Sequence, residues 1–305
     1  MSTMSGTPRR LKAPLRSTSI VAFLAASVAL LAGMLLAQPA FATPKGEFEV
    51  FSQCPLSNAE VTACIVAKTE SGEVVTPKKK VPITNPITLQ GGFIENPETL
   101  ADTFVGAANG ETITKTPQPV PGGLIGGLCA KLPSFLKSIC ERFGSKGFSE
   151  INAITELAGS ASSIGLNEEN LIGETGTALA LPIKVKLDNL FLGTNCYIGS
   201  NSHPISLNLT TGTTSPPEPN KPISGKLGTP ESNEEGNILT IKDDSLVDNA
   251  FSIPVGAAGC GGIFSFLVNP VVNSEFGVPS TAGHNTAILN GTLKQAGVGA
   301  VKAHE

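Results

Sequence analysis

The stretch Ala178-Leu-Ala-Leu-Pro-Ile-Lys-Val-Lys-Leu187 decides the fold class, because its second half alternates between apolar and charged side chains. Ile183, Val185 and Leu187 would face a core, while the two lysines between them would face solvent. This two-residue period is typical of a half-buried β-strand and does not fit the 3.6-residue period of a helix. The stretch therefore predicts a strand with one buried face.

Similar short runs, separated by turn residues, occur on both sides of this strand. They lie at 48–51, 61–68, 73–76, 87–90, 103–105, 111–115, 148–157, 195–198, 204–211, 237–241 and 286–293. About ten short strands with Gly and Pro turns predict a mainly β fold, a sandwich or a barrel, which 286–293 would close. We expect hairpin turns at Thr69–Gly72 and Asn109–Gly110, and a long exposed loop over 212–236. The run 263–272 fits either a short helix or a buried strand.

Residues 124–143 interrupt the β pattern, because their apolar side chains recur at helical spacing. We expect a helical insertion that caps the open end of the β core; the alternative is an amphipathic segment that contacts lipid. The chain would then form one domain over 43–305. Its N-terminal strands lie in 43–120, its C-terminal strands in 148–295, and a tail occupies 296–305.

The first 42 residues have the features of a secretory signal peptide. Four basic residues, an apolar run over 19–37 and the cleavage box Ala40-Phe41-Ala42 follow one another in the expected order. Cleavage would leave a secreted, extracellular protein that begins at Thr43. The alternative is an uncleaved N-terminal membrane anchor with the domain outside, since 19 apolar residues approach the ~20 needed to cross a bilayer.

Charge and cysteine content narrow the function classes. Residues 1–42 hold four of the 21 Lys and Arg and none of the 25 Asp and Glu, so the cleaved chain would carry a net charge of −8. Nucleic-acid binding is excluded because it requires a basic face. The even number of six cysteines predicts disulfides in an oxidising compartment, and sequence proximity favours Cys54–Cys64, Cys129–Cys140 and Cys196–Cys260.

Several stretches together indicate a relationship. They are Leu187-Asp-Asn-Leu-Phe-Leu-Gly-Thr-Asn-Cys-Tyr-Ile-Gly-Ser200, residues 207–217, Asp244-Ser-Leu-Val-Asp-Asn-Ala-Phe251 and Ala282-Gly-His-Asn-Thr-Ala-Ile-Leu-Asn-Gly291. Over roughly 120–295 the chain resembles a group of uncharacterised exported proteins of actinobacteria. The resemblance implies a bacterial, extracytoplasmic setting and no particular catalytic residue.

Motifs for catalysis and cofactor binding are absent from the sequence. It has neither G-x-S-x-G nor H-E-x-x-H, and Ser134-Phe-Leu-Lys137 matches a β-lactamase-type S-x-x-K by spacing alone. Asp243, Asp244 and Asp248 offer oxygen ligands suited to Ca²⁺, although a solvated turn explains them as well. His203 and His284 could form a metal or acid–base pair, and loop positions explain them equally. No cofactor is predicted.

The sequence favours the first of three functional hypotheses and leaves the other two as alternatives. The first is a non-catalytic component or binding module of the cell envelope, without stable membrane insertion after cleavage. The second is a secreted hydrolase built on His203, His284 and Asp243 or Asp244, which requires these side chains to meet in one pocket. The third is a carrier of an apolar ligand in the β core under the 124–143 cap, which requires an apolar cavity closed by that helix.

Overall fold

The computed structural model describes residues 43–95, 102–123, 134, 137–138 and 150–305. The predicted signal peptide and the pair Cys129–Cys140 lie outside the described residues, and both stay predictions. In the described part, 14 strands belong to one antiparallel sheet, so the predicted mainly β fold is confirmed. There are more strands than the ten or so expected, because several consist of only two residues.

The strands and helices are numbered here in chain order. The strands are β1 Ala63–Val75, β2 Lys80–Ile83, β3 Ile87–Ile94, β4 Asp102–Gly106, β5 Gln118–Pro119, β6 Asn152–Leu157, β7 Gly165–Leu166, β8 Leu179–Asp188, β9 Tyr197–Ile198, β10 Ile205–Leu209, β11 Thr229–Ser232, β12 Ile238–Asp248, β13 Ala257–Ala258 and β14 Thr286–Gly297. The α-helices are α1 Glu168–Gly173, α2 Ser265–Phe276 and α3 Val298–Ala303, with 3-10 helices at Gly46–Phe51, Ala161–Ser163 and Gly262–Phe264.

The sheet folds over so that two walls face each other. Its strand order is β11-β12-β14-β1-β3-β4-β7-β8-β6-β5, with β10 paired to the free side of β8. Thr210 of the chain after β10 bridges to Val247 of β12 through two backbone hydrogen bonds of 3.0 and 2.9 Å. The sheet is not closed, and the fold is sandwich-like. One wall is centred on β12, β14, β1 and β3, and the other on β8, β10 and β6.

The core lies between these walls. Its main cluster joins side chains of β1 and β3, such as Ile65 and Phe93, to Leu181 of β8 and Leu207 of β10. The side chains of β8 and β10 alternate in burial, as the period of the opening stretch predicts. A smaller cluster on the outer side of β1 contains Phe48, Phe51, Val61 and Val301, so the first 3-10 helix and α3 cover that side.

The predicted hairpin turn at Thr69–Gly72 is wrong, because β1 continues straight through it. β1 pairs with β14 along its whole length, with a bulge between Thr69 and Ser71. Gly72 has φ +136°, and a Cβ there would overlap the carbonyl oxygen of Ile288. The glycine is therefore explained by close approach of two strands.

The turn at Asn109–Gly110 forms, but the chain after it does not return along β4. The side chain of Asn109 accepts a hydrogen bond from the N–H of Glu111, and Gly110 has φ +76°. Ile113 instead bridges to Leu89, on the first half of β3. β4 pairs with the second half of β3, along the same edge of that strand.

Three further expectations are decided by the structure. The run 263–272 lies largely in helix α2 and not in a buried strand. The strand expected to close the fold, β14, is central and pairs with β12 on one side and β1 on the other. The expected loop 212–236 is partly ordered into β11 and into a bridge between Thr213 and Ser224.

The helical insertion is described at three positions only. Ser134, Lys137 and Ser138 are helical and exposed, which agrees with the predicted helix there. The rest of 124–149 lies outside the described residues. No helix in the part of the chain that the structure describes is long and apolar enough to span a membrane.

Two predicted disulfides, Cys54–Cys64 and Cys196–Cys260, are confirmed. The second joins the residue before β9 to the segment after β13, and these two short strands pair with each other. Gly259 and Gly261, on either side of Cys260, have φ of +72° and +77°. The glycine run 256–262 therefore gives the backbone its tight path around the disulfide, as its composition suggests.

Candidate functional site

A cavity of about 150 Å³ lies between the two walls of the sandwich. Both walls, β2, β9 and the end of α2 contribute to its lining. The apolar lining side chains are Ala67, Val74, Val81, Ile83, Ile87, Leu89, Ile113, Ala153, Leu179, Leu181, Ile183, Val185, Ile198, Ile205, Leu207, Leu246, Phe251, Ile253, Phe276 and Leu289. An empty apolar cavity of this size stays dry and accepts a molecule as large as benzene.

The polar part of the lining includes side chains whose hydrogen bonds are satisfied by the protein. Gln118 accepts from the N–H groups of Thr84 (2.9 Å) and Asn85 (3.1 Å) and donates to the carbonyl of Asn85 (2.7 Å). Thr76 donates to the carbonyl oxygen of Phe276 at 2.6 Å. These two groups hold neighbouring segments together and need no further partner.

Asp244 differs from these groups. Its side chain lines the cavity and is only 6% exposed, and its oxygen Oδ1 is buried without any hydrogen-bond partner. Desolvation by this burial raises the pKa of Asp244 from 3.8 to about 6. Backbone N–H groups of Asp244 itself and Gly291, and the positive charge of Lys226, act in the opposite direction. At neutral pH the cavity therefore contains a carboxylate with an unused acceptor.

A bulge in β12 places Asp244 at the cavity. The pairing of β12 with β14 shifts between Lys242 and Asp244, and the intervening Asp243 has φ +56°. The extra residue changes which side chains face inward, so that Asp244 and Leu246 line the cavity while Asp243 is exposed.

Gly291 of β14 pairs with both Asp244 and Thr69, and it also lines the cavity. A Cβ at this position would overlap the carbonyl oxygen of Lys68. The missing side chain lets three strands approach closely.

The three carboxylates suggested for calcium lie in different surroundings. Asp243 is exposed, and Asp248 is buried and accepts hydrogen bonds from the N–H groups of Asn208 (2.7 Å) and Ala250 (2.8 Å). Burial raises the pKa of Asp248 as well. The described residues contain no group of three His, Cys, Asp or Glu side chains able to hold a metal ion. The structure thus does not bring Asp243, Asp244 and Asp248 together.

The two histidines are exposed and bonded within their own loops. The ring of His203 bonds to the hydroxyl of Ser202 at 3.1 Å, and the ring of His284 lies 3.3 Å from the hydroxyl of Thr281. Neither histidine lines the cavity that contains Asp244. The side chains named for a hydrolase are therefore not assembled around this cavity.

The sequence suggests an apolar cavity in the β core as one of three hypotheses, but nothing in it predicts that Asp244 lines that cavity. Asp244 was singled out for its neighbours in sequence, Asp243 and Asp248, which lie outside the cavity lining. The only usable signal is an acidic residue two positions before Leu246, in a segment that would alternate as a strand. The bulge hides that alternation.

The chain matches no family model, no curated protein and no solved structure.

Proposed function

We propose that this protein is a non-catalytic binding protein outside the cytoplasm that holds a small apolar ligand in its β core. The single observation that carries the proposal is the apolar cavity of about 150 Å³ between the walls of the sandwich. It supports the carrier hypothesis over the other two. A role in the cell envelope is compatible with it, since a carrier can act there.

An unfilled cavity of this size is unfavourable for a protein that has no use for it. Protein interiors are packed as densely as organic crystals, and residual cavities destabilise by about 24 cal/mol per Å³. For an enclosed cavity of 150 Å³ this amounts to about 4 kcal/mol, which is an upper bound here because the cavity is partly open. A bound apolar molecule would restore the missing contacts and offset that loss.

The compartment is part of the same proposal. Two disulfides are formed, and the described part of the chain contains no free cysteine. Disulfides persist in oxidising surroundings, and the predicted signal peptide would bring the chain there. The resemblance to exported actinobacterial proteins points to the same bacterial, extracytoplasmic setting.

Ligand binding is tested by filling the cavity. The full chain, expressed with its export signal and purified without reductant, is titrated with toluene while its thermal unfolding is followed. At ten times the dissociation constant, toluene should stabilise the protein by about 1.4 kcal/mol, a rise in Tm of about 3 °C. Ala67→Leu adds three carbons to a lining position and should abolish this rise.

Ala108→Leu is the matched control, because it adds the same atoms at an exposed turn. It should keep the response to toluene. If toluene stabilises the wild type and both variants equally, the molecule binds elsewhere and the cavity is not the site. If neither toluene nor its hydroxylated analogue benzyl alcohol stabilises the wild type, the proposed function is wrong.

Export is tested by mass spectrometry of the intact protein without reduction. We expect an N-terminus at Thr43 and a mass six hydrogens below that of the reduced chain, which includes the predicted Cys129–Cys140. An N-terminus at Met1 in the membrane fraction would show that the segment is an anchor.

A further inference from the structure

We propose that Oδ1 of Asp244 accepts a hydrogen bond from the polar end of the ligand, so that the cavity selects apolar molecules with a hydrogen-bond donor. This inference rests on the proposed function and specifies its ligand class. It excludes plain hydrocarbons as the preferred ligand, and it excludes molecules whose polar end is a carboxylate.

Burying the carboxylate of Asp244 without a hydrogen-bond partner for Oδ1 destabilises the folded protein. A buried polar atom without a partner loses the hydrogen bonds it had with water, and for a charged group this penalty is large. Native proteins satisfy nearly all such atoms, and the exceptions call for an explanation. Oδ1 of Asp244 is such an exception in the described part of the chain.

The surroundings of Asp244 restrict what can satisfy it. Gly291 beside it contributes no side chain, and Leu246 and Leu289 further along the two strands offer only carbon atoms to the cavity. Lys68, which also lines the cavity, has its ammonium group 2.9 Å from Glu70. Thr69 and Thr292 also line the cavity, and the charge of Lys226 acts on Asp244 from outside the lining, but none of them donates a hydrogen bond to Oδ1. A ligand in the cavity could therefore supply the donor for Oδ1.

Because the lining is mostly apolar and contains one carboxylate, a matching ligand has an apolar body and one polar end. Most of its body would contact aliphatic side chains of both walls, since these dominate the lining. One end would place a hydroxyl or ammonium group against Asp244. A carboxylate there would meet a like charge at neutral pH and be rejected.

The experiment compares three molecules of nearly equal shape at pH 8: toluene, benzyl alcohol and benzoate. Binding to the wild-type full chain is measured by isothermal titration calorimetry. We expect benzyl alcohol to bind best and benzoate worst. Asp244→Leu should weaken benzyl alcohol roughly tenfold or more, as expected for a lost hydrogen bond to a charged group, and leave toluene equal or better.

Two further variants complete the test. Asp244→Asn keeps the shape and a neutral acceptor, so its loss for benzyl alcohol should be smaller, and it provides the comparison if the leucine variant is poorly folded. Asp243→Asn removes the neighbouring, exposed carboxylate and should leave the preference for benzyl alcohol over toluene unchanged.

The outcomes separate the two proposals. If toluene and benzyl alcohol bind the wild type and neither Asp244 variant changes their ratio, the role of Asp244 is wrong while the apolar cavity remains the binding site. If none of the three molecules binds the wild type, the proposed function itself is wrong, and the inference about Asp244 with it.

Discussion

Replacing both Cys196 and Cys260 by alanine is expected to lower the free energy of unfolding by about 4 kcal/mol. The two residues are 64 positions apart, and the disulfide restricts that loop in the unfolded chain. In the chain-entropy account, the stabilisation grows with the logarithm of the loop length and reaches about 4 kcal/mol for a loop of this size. Guanidinium unfolding of both proteins without reductant measures the difference.

The other disulfide supplies the matched control. Cys54 and Cys64 are only 10 positions apart, so the same double replacement there should remove about 1.6 kcal/mol less. Equal losses in the two double variants would contradict the loop-length explanation and would indicate that packing of the sulfur atoms dominates.

The Cys196–Cys260 disulfide also bears on the cavity. Ile198, two residues after Cys196, lines it from β9, and β9 pairs with both β8 and β13. The disulfide connects β9 to the segment after β13 and thereby fixes this part of the wall. If the proposed export takes place, this bond persists, because an oxidising medium does not reduce it.

The Cys54–Cys64 disulfide was predictable because its two cysteines are only 10 positions apart. For Cys54–Cys64, proximity in sequence makes proximity in space probable. The strand at Ala178–Leu187 was predictable for a related reason, because one face of β8 is buried and the alternation is written directly into its residues.

What the sequence did not reveal depends on partners far away along the chain. Gly72 suggests a turn. The glycine is instead required because the backbone of Ile288, more than two hundred residues later, approaches too closely for a side chain at position 72. The central position of β14 follows from two neighbours, β12 and β1, that lie in different halves of the sequence. Local pattern contains no information about either pairing.

The candidate site shows the same limit more sharply. Asp244 was noticed for its acidic neighbours, which suggested calcium, whereas its environment is decided by a bulge that turns Asp243 outward. An acidic residue in a polar-looking run thus becomes a buried charge facing apolar side chains. The distinction requires the register of β12 against β14, which only the folded sheet defines.

The buried carboxylate leads to the second large effect, a dependence of stability on pH. The pKa of Asp244 is about 6 in the folded protein, against about 3.9 for an aspartate in an unfolded chain. The folded state therefore holds the proton more tightly, and stability falls as pH rises from 4 to 6. At 1.36 kcal/mol per pH unit, Asp244 accounts for a loss of about 3 kcal/mol.

Asp244→Asn should remove this contribution. At pH 7.5 the variant is expected to be more stable than the wild type by up to about 3 kcal/mol, and at pH 4 the two should be nearly equal. Urea unfolding at half-unit intervals between pH 4 and 8 measures the difference. The difference in stability between the two proteins should change between pH 4 and 6, because in this range Asp244 is ionised in the unfolded chain and still protonated in the folded protein.

Two other carboxyl groups with raised pKa should leave some dependence of stability on pH in the Asp244→Asn variant. Burial raises the pKa of Asp248. Burial and the negative charges of Glu168 and Glu95 raise the pKa of Asp102 to about 6. The difference between wild type and Asp244→Asn cancels their effect. Asp243→Asn removes a nearby charge that itself raises the pKa of Asp244, so this variant should keep most of the pH dependence, because desolvation is the larger cause. A difference that stays constant from pH 4 to 8 would mean that Asp244 titrates normally in the folded protein, and that its carboxylate is solvated where the structure places it among apolar side chains.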